Sequence, residues 1–76
     1  MVHAYVMVKT AAGASERTID SVRDLPEVTT AHVVAGDYDM IAEVSVEDVY
    51  SVLHTASSKI QSLNGVLDTR TYIALD

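Results

Sequence analysis

From Val2 to Lys9 the chain alternates between two sets of residues, with Val2, Ala4, Val6 and Val8 on one face and His3, Tyr5, Met7 and Lys9 on the other. A period of two belongs to a β-strand, whose successive side chains point to opposite faces. The second face is not strongly polar, so the pattern predicts a strand half covered on that side as well. TAAGAS then punctuates the chain, and Ser15 stands where it would N-cap a helix from Glu16 to about Asp24. Ile19, Val22 and then Leu25 make its inward stripe, Glu16 suits the positive end of the helix dipole, and Pro26 stops it.

Two β-branched runs follow, Val28 to Ala35 and Met40 to Val44, with Gly36-Asp37-Tyr38-Asp39 between them. A hairpin is the simplest connection. Ser45 with Asp48 three residues on reads as a capping box that uses Asp in place of Glu. The helix after it is the clearest periodic signal: Val49, Leu53, Ala56, Ile60 and Leu63 step by 4, 3, 4 and 3, with Val52 widening the stripe. Asn64-Gly65 closes it as a left-handed C-cap, and Val66 to Leu75 is a last strand. The order β-α-β-β-α-β predicts an α+β fold, a ferredoxin-like βαββαβ sandwich with a four-stranded antiparallel sheet and two helices on one face. The other face of that sheet would stand open, carrying Tyr5 and Met7. Such patches mark association, and face-to-face dimerisation is the natural way to cover it.

Composition sharpens this expectation. Seventy-six residues make a single domain, 1–76, and a chain so short buries only roughly 60% of its unfolded surface. Cysteine is absent, so no disulfide adds stability and oligomerisation is the remaining route. The net charge of −6 and the scatter of Lys9, Arg17, Arg23, Lys59 and Arg70 argue against direct contact with nucleic acid, which needs a basic patch. MVHAYVMVKT has no charged n-region, and no apolar run approaches the roughly 20 residues of a membrane span. The expectation is a soluble cytoplasmic protein with no membrane partner.

Ala35 to Met40, AGDYDM, is the densest candidate chemistry. A tight turn suffices, since Gly36 can adopt positive φ and Asp37 can bond its own backbone. A hard-cation site would need more oxygens than Asp37 and Asp39 supply. As one wall of a ligand pocket, the carboxylates could take an ammonium group while Tyr38 offers a face and a hydroxyl. His3, His32 and His54 have no metal-ligand spacing, and no serine lies in a nucleophile-elbow context; no metal, cofactor or catalytic residue is expected. Thr69 and Thr71 share one face of the last strand, either as good strand formers or as paired hydroxyls for a polar ligand or a neighbouring subunit. Tyr50, His54 and Gln61 lie on a flank of the second helix suited equally to solvent and to an interface.

VHAYVMVKT, the LPEV turn, VVAGDYDMIAEV and the closing LNGVLDTRTYIAL together resemble the effector-binding (RAM) domain of the Lrp/AsnC family of transcription regulators. The likeness covers essentially the whole chain, and Gly36-x-Tyr38-Asp39 is its most specific part. Asn64 departs from it, standing where the family often has proline. A larger departure is that Met1 runs directly into the first strand, with no helix-turn-helix ahead of it, so a stand-alone effector-binding domain is expected. The resemblance implies dimers that pair through their sheets and assemble into rings, octamers or decamers, with small amino-acid effectors bound between dimers. By the same resemblance Gly36, Asp37, Tyr38 and Asp39 form one wall of the pocket and Thr69 and Thr71 contribute hydroxyls. No strongly basic residue is expected beside the hairpin to pair an effector's carboxylate, unless Arg70 reaches it from another subunit. A full-length regulator of the family is a further expected partner. The competing reading is a small ferredoxin-like enzyme of the cofactor-independent monooxygenase or isomerase type, for which the three histidines and four tyrosines offer no evident constellation.

Overall fold

The computed structural model describes residues 1–76. Its elements are β1 (Val2–Thr10), α1 (Ser15–Arg23), β2 (Val28–Val33), β3 (Met40–Val46), α2 (Val49–His54), a π-helical continuation (Thr55–Ile60) and β4 (Val66–Ile73). The strands form one antiparallel sheet in the order β2-β3-β1-β4. The expected ferredoxin-like α+β architecture is therefore the one observed. β1 and β3, the two central strands, pair from Val2↔Val46 to Val8↔Met40. That register brings Ala4, Val6, Val8, Met40, Ala42 and Val44 to one face, where all are buried. Ile19 and Val22 of α1 and Val52, Ala56 and Ile60 of the second helix close over them into one core. The alternation read in β1 thus maps directly onto burial.

The second helix departs from its expected stripe. Val49 and Leu53 are 46% and 53% exposed, whereas Val52, Thr55, Ala56 and Ile60 are buried. Stepping by four, from 52 to 56 to 60, stays on one face of an α-helix with a drift of about 40° per step, and a wider turn reduces that drift. The π-helical turn supplies the extra width, with Gln61 N–H donating to Ala56 C=O at 3.1 Å, five residues back. Val49 and Leu53 lie in the α-helical turns ahead of it and stay exposed, while Thr55, at its start, is buried. Thr55 Oγ1 meets its buried surroundings by donating to Ser51 C=O at 2.8 Å.

The caps also differ from expectation. Ala14, not Ser15, holds the N-cap position of α1, and Ser15 is its first helical residue; no side chain caps that end. Ser45 belongs to β3, and Asp48 is itself the N-cap of α2, its carboxylate accepting from Ser51 N–H at 2.7 Å. That bond holds the Asp48 carboxyl below the usual carboxylate range. α1 ends at Arg23, before Pro26 is reached, and the edge strands stop at Val33 and Ile73, short of Ala35 and Leu75. Gly65 adopts φ +96°, as a left-handed turn at Asn64-Gly65 requires, and a Cβ there would lie 2.9 Å from Thr18 Oγ1. Lys59 pairs with Glu27, tying the π turn to the loop before β2.

No helix is long and apolar enough to cross a membrane. The sheet face away from the helices carries His3, Tyr5, Met7, Ile41, Glu43, Arg70 and Tyr72, partly or largely exposed. This is the open face expected from β1.

Candidate functional site

The turn between β2 and β3 folds back onto the end of β1. Val34 N–H donates to Asp39 C=O, and Asp39 N–H donates to Val8 C=O, both at 2.9 Å. Asp39 Oδ2 accepts from Thr10 N–H at 2.8 Å, so this carboxylate fastens the turn to the strand beside it. The β1–β3 pairing ends at Val8↔Met40, and beyond it the Asp39 side chain supplies the acceptor on that side of β1. Asp39 and Tyr38 are half-buried, while Gly36 and Asp37 are exposed, and no bond within the chain engages the Asp37 carboxylate.

Gly36 does not use the freedom that the turn reading gave it. Positive φ occurs only at Gly13 and Gly65, so Gly36 lies outside the left-handed region. A Cβ built at Gly36 would meet nothing within 4 Å. The fold of this chain therefore gives no reason for glycine at that position.

A base stands where the sequence reading placed none. Lys9 Nζ donates to Asp37 C=O at 3.0 Å and lies 5.9 Å from the centroid of the Tyr38 ring, within the range of a cation–π contact. An ammonium has three donors, and only this one is engaged within the chain. The β1–β3 pairing carries the signal: once Val8 is opposite Met40, the next residue on each strand is Lys9 and Asp39.

Thr69 and Thr71 lie across β1 from this turn. They pair with Val8 and Val6 and therefore face the helix side of the sheet. Thr69 Oγ1 donates to Gln61 Oε1 at 3.2 Å. Val8 is thus flanked by both halves of the expected site, bonded to Asp39 on one side and registered with Thr69 on the other. The single chain does not merge them into one cavity: its four cavities, of about 300 to 400 Å³, are lined by other residues.

The histidines remain apart. His3 Nε2 is 3.2 Å from Glu43 Oε1 on the open face, His32 is on β2, and His54 is on α2. No three His, Asp or Glu side chains come together as a metal ion would require. Glu43 also accepts from Thr30 Oγ1 at 2.5 Å. Thr30 first, and His3 second, hold its carboxyl below the usual range.

The open-faced βαββαβ sheet, with a polar turn clasped to its central strand, makes this a ferredoxin-like α+β domain, and the comparisons identify the family. Residues 3–76 match the Lrp/AsnC ligand binding domain. The chain belongs to that family. It is 31% identical over 61 residues to the leucine-responsive regulatory protein of Klebsiella pneumoniae, an alignment covering 80% of this chain and 37% of that protein. The chain thus spans little more than a third of the curated relatives it matches. Among solved structures, TTHA0845 from Thermus thermophilus superposes with a TM-score of 0.94 at 29% identity, covering 100% of this chain and 95% of that one. The L-Met complex of the transcriptional regulator NMB0573 from Neisseria meningitidis gives a TM-score of 0.87 at 25% identity, covering 99% of this chain and 50% of that one.

Proposed function

We propose that this chain is a non-catalytic effector-binding and oligomerisation domain. It senses a small amino acid where dimers meet, and modulates transcription or amino-acid metabolism without touching DNA itself. The reading rests on the Gly36–Asp39 turn. Asp39 holds it rigidly to Thr10, yet the Asp37 carboxylate, two donors of Lys9 and the space beside Gly36 are left unused by the chain. Those groups match a zwitterion: Asp37 accepts from an α-ammonium, and Lys9 donates to an α-carboxylate. Glycine at position 36 lets a ligand or neighbouring backbone approach closely. Thr69 and Thr71 would enter the pocket from an adjacent subunit, since no cavity of one chain joins them to the turn. Ligation of L-Met by a relative and the regulatory role of the curated relatives favour an amino acid as the effector and transcription as the output. The domain would act as a single 76-residue unit, with a full-length regulator of the family as a further partner.

A thermal-denaturation panel of the common amino acids tests this. A ligand at a thousandfold its Kd adds about 4 kcal/mol of stability, and one member of the panel should raise Tm accordingly. Asp37→Ala should abolish that rise while leaving the ligand-free Tm unchanged, because the carboxylate makes no contact within the chain. If no amino acid moves Tm, or if Asp37→Ala leaves the response intact, the reading fails.

A further inference from the structure

β2 forms one edge of the sheet, and the last residue of α1 reaches round onto it. Arg23 Nε and Nη2 both donate to Ala31 C=O, at 3.0 and 2.8 Å. The chain has three arginines and none forms an ion pair, but Arg17 and Arg70 lack any such anchor. A guanidinium carries five N–H donors in a planar fork. Two are engaged at Ala31, so a cation held in place keeps three. Asp20 and Asp24, its acidic neighbours on and just after α1, do not pair with it.

Arg23 lines a cavity of about 360 Å³ with Val28, Thr29, Thr30, Ala31 and His32, at the small end of the range for small-molecule sites. The hydrogen-bonding groups around it are one-sided. Both threonine hydroxyls give their protons to Glu43, Thr29 to its carbonyl at 3.2 Å and Thr30 to its carboxylate. That carboxylate also lies 3.2 Å from His3 Nε2, so it is already engaged. The strand edge adds a donor. β2 pairs with β3 without a break from Thr30↔Glu43 to Val33↔Met40, and Val34 N–H donates to Asp39 C=O. Antiparallel bonds engage every second residue, so here the even positions bond to β3 and Ala31 turns its N–H and C=O outward. Arg23 takes that carbonyl and leaves the N–H. His32 is exposed and offers a ring nitrogen. Donors thus gather round a cavity whose one acid is occupied, which suits a negatively charged, acceptor-only group. Fixing the guanidinium in advance lowers the ordering cost of binding.

We propose that the β2 edge at Arg23 is an oxyanion site, holding the carboxylate or phosphate group of a small molecule against the Arg23 fork, the Ala31 N–H and His32. No residue of the Gly36–Asp39 turn lines this cavity, so the site stands or falls apart from the amino-acid reading. An amino acid that bound here instead would still raise Tm in Asp37→Ala and would fail to do so in Arg23→Gln.

Proton–nitrogen correlation NMR tests it, with inorganic phosphate and acetate as separate probes at an ionic strength held constant with chloride. In the wild type the amides of Thr29 to His32 should shift and saturate with at least one probe. Saturation with phosphate alone assigns a phosphoryl ligand, with acetate alone a carboxylate, and with both the shared oxyanion chemistry. Arg23→Gln should weaken the binding by about tenfold or more. Arg23→Lys keeps the charge but loses the fork, and should also bind more weakly than the wild type. Arg17→Gln, on the same helix, should bind as the wild type does. The amides of Val6 and Val8 report that each variant remains folded. No saturable shift at Thr29 to His32 with either probe, wild-type affinity in Arg23→Gln or Arg23→Lys, or an equal loss in Arg17→Gln would each overturn the proposal.

Discussion

The two faces of the sheet solve opposite problems with the same strands. On the helix side, Ala4, Val6, Val8, Met40, Ala42 and Val44 are at most a trace exposed. Every apolar contact there is provided by this chain. On the other side, Tyr5, Met7, Ile41 and Tyr72 form an apolar field crossed by the polar line His3–Glu43–Thr30. That polar line is satisfied within the chain, and the apolar field is not. A single sequence alternation thus writes two surfaces, one that folds the chain and one available to a neighbour. Mutations on the two sides should separate stability from assembly.

The largest effect is expected under the helices. Ile60 is fully buried, at the end of the π-helical turn. Ile60→Ala removes three carbons and leaves a cavity that a wide helical turn cannot close, which should lower unfolding free energy by about 2–5 kcal/mol in urea melts. A 76-residue domain has only roughly 4–11 kcal/mol in total, so the loss would approach unfolding. A cost under about 1 kcal/mol would mean that the second helix packs less closely than its burial implies.

The open face should respond the other way. Met7 and Ile41 are cross-strand partners there, both half-buried. Threonine at both positions keeps β-propensity while removing the apolar patch. Met7→Thr/Ile41→Thr should shift the stability of the isolated chain by no more than about 1 kcal/mol per site, and should lower its assembly state in light scattering at the same concentration. Unaltered assembly would locate the dimer contact elsewhere.

Much of this contrast was legible in the sequence because a strand's period of two is insensitive to context. β1 alone predicts which residues meet the helices, and Gly65 announces its own positive φ. In the second helix the inward stripe is 52, 55, 56 and 60. It fits the 3.6-residue period as well as the expected one does, so period alone could not choose between them. Val49 and Leu53 match a 3.6-residue stripe, but Thr55, which the stripe omits, is the one buried. Both N-caps were displaced, α1's by one residue from Ser15 to Ala14, where no side chain caps the end, and α2's by three from Ser45 to Asp48, because β3 runs on through Ser45 to Val46. At the candidate site, the turn residues stood out by composition alone. Lys9 did not, since its place over Asp37 and Tyr38 follows from strand register, which only pairing reveals.

The smallest expected effect concerns the polar line across the open face, and it tests whether Glu43 belongs to the fold or to the surface. Thr30, more than His3, keeps the Glu43 carboxyl below its ordinary range. A carboxyl whose pKa is lower folded than unfolded binds fewer protons in the folded state. Its contribution is therefore present above the unfolded value and lost as pH falls through the folded one. Thr30→Val removes the hydroxyl and keeps a β-branched side chain. The Tm gap between wild type and Thr30→Val should be widest near neutral pH and narrow steadily on acidification below the ordinary carboxylate range. A gap constant across that range would assign Thr30 a packing role and leave Glu43 a bystander on the open face; a narrowing gap makes it part of what orders that face before any neighbour arrives.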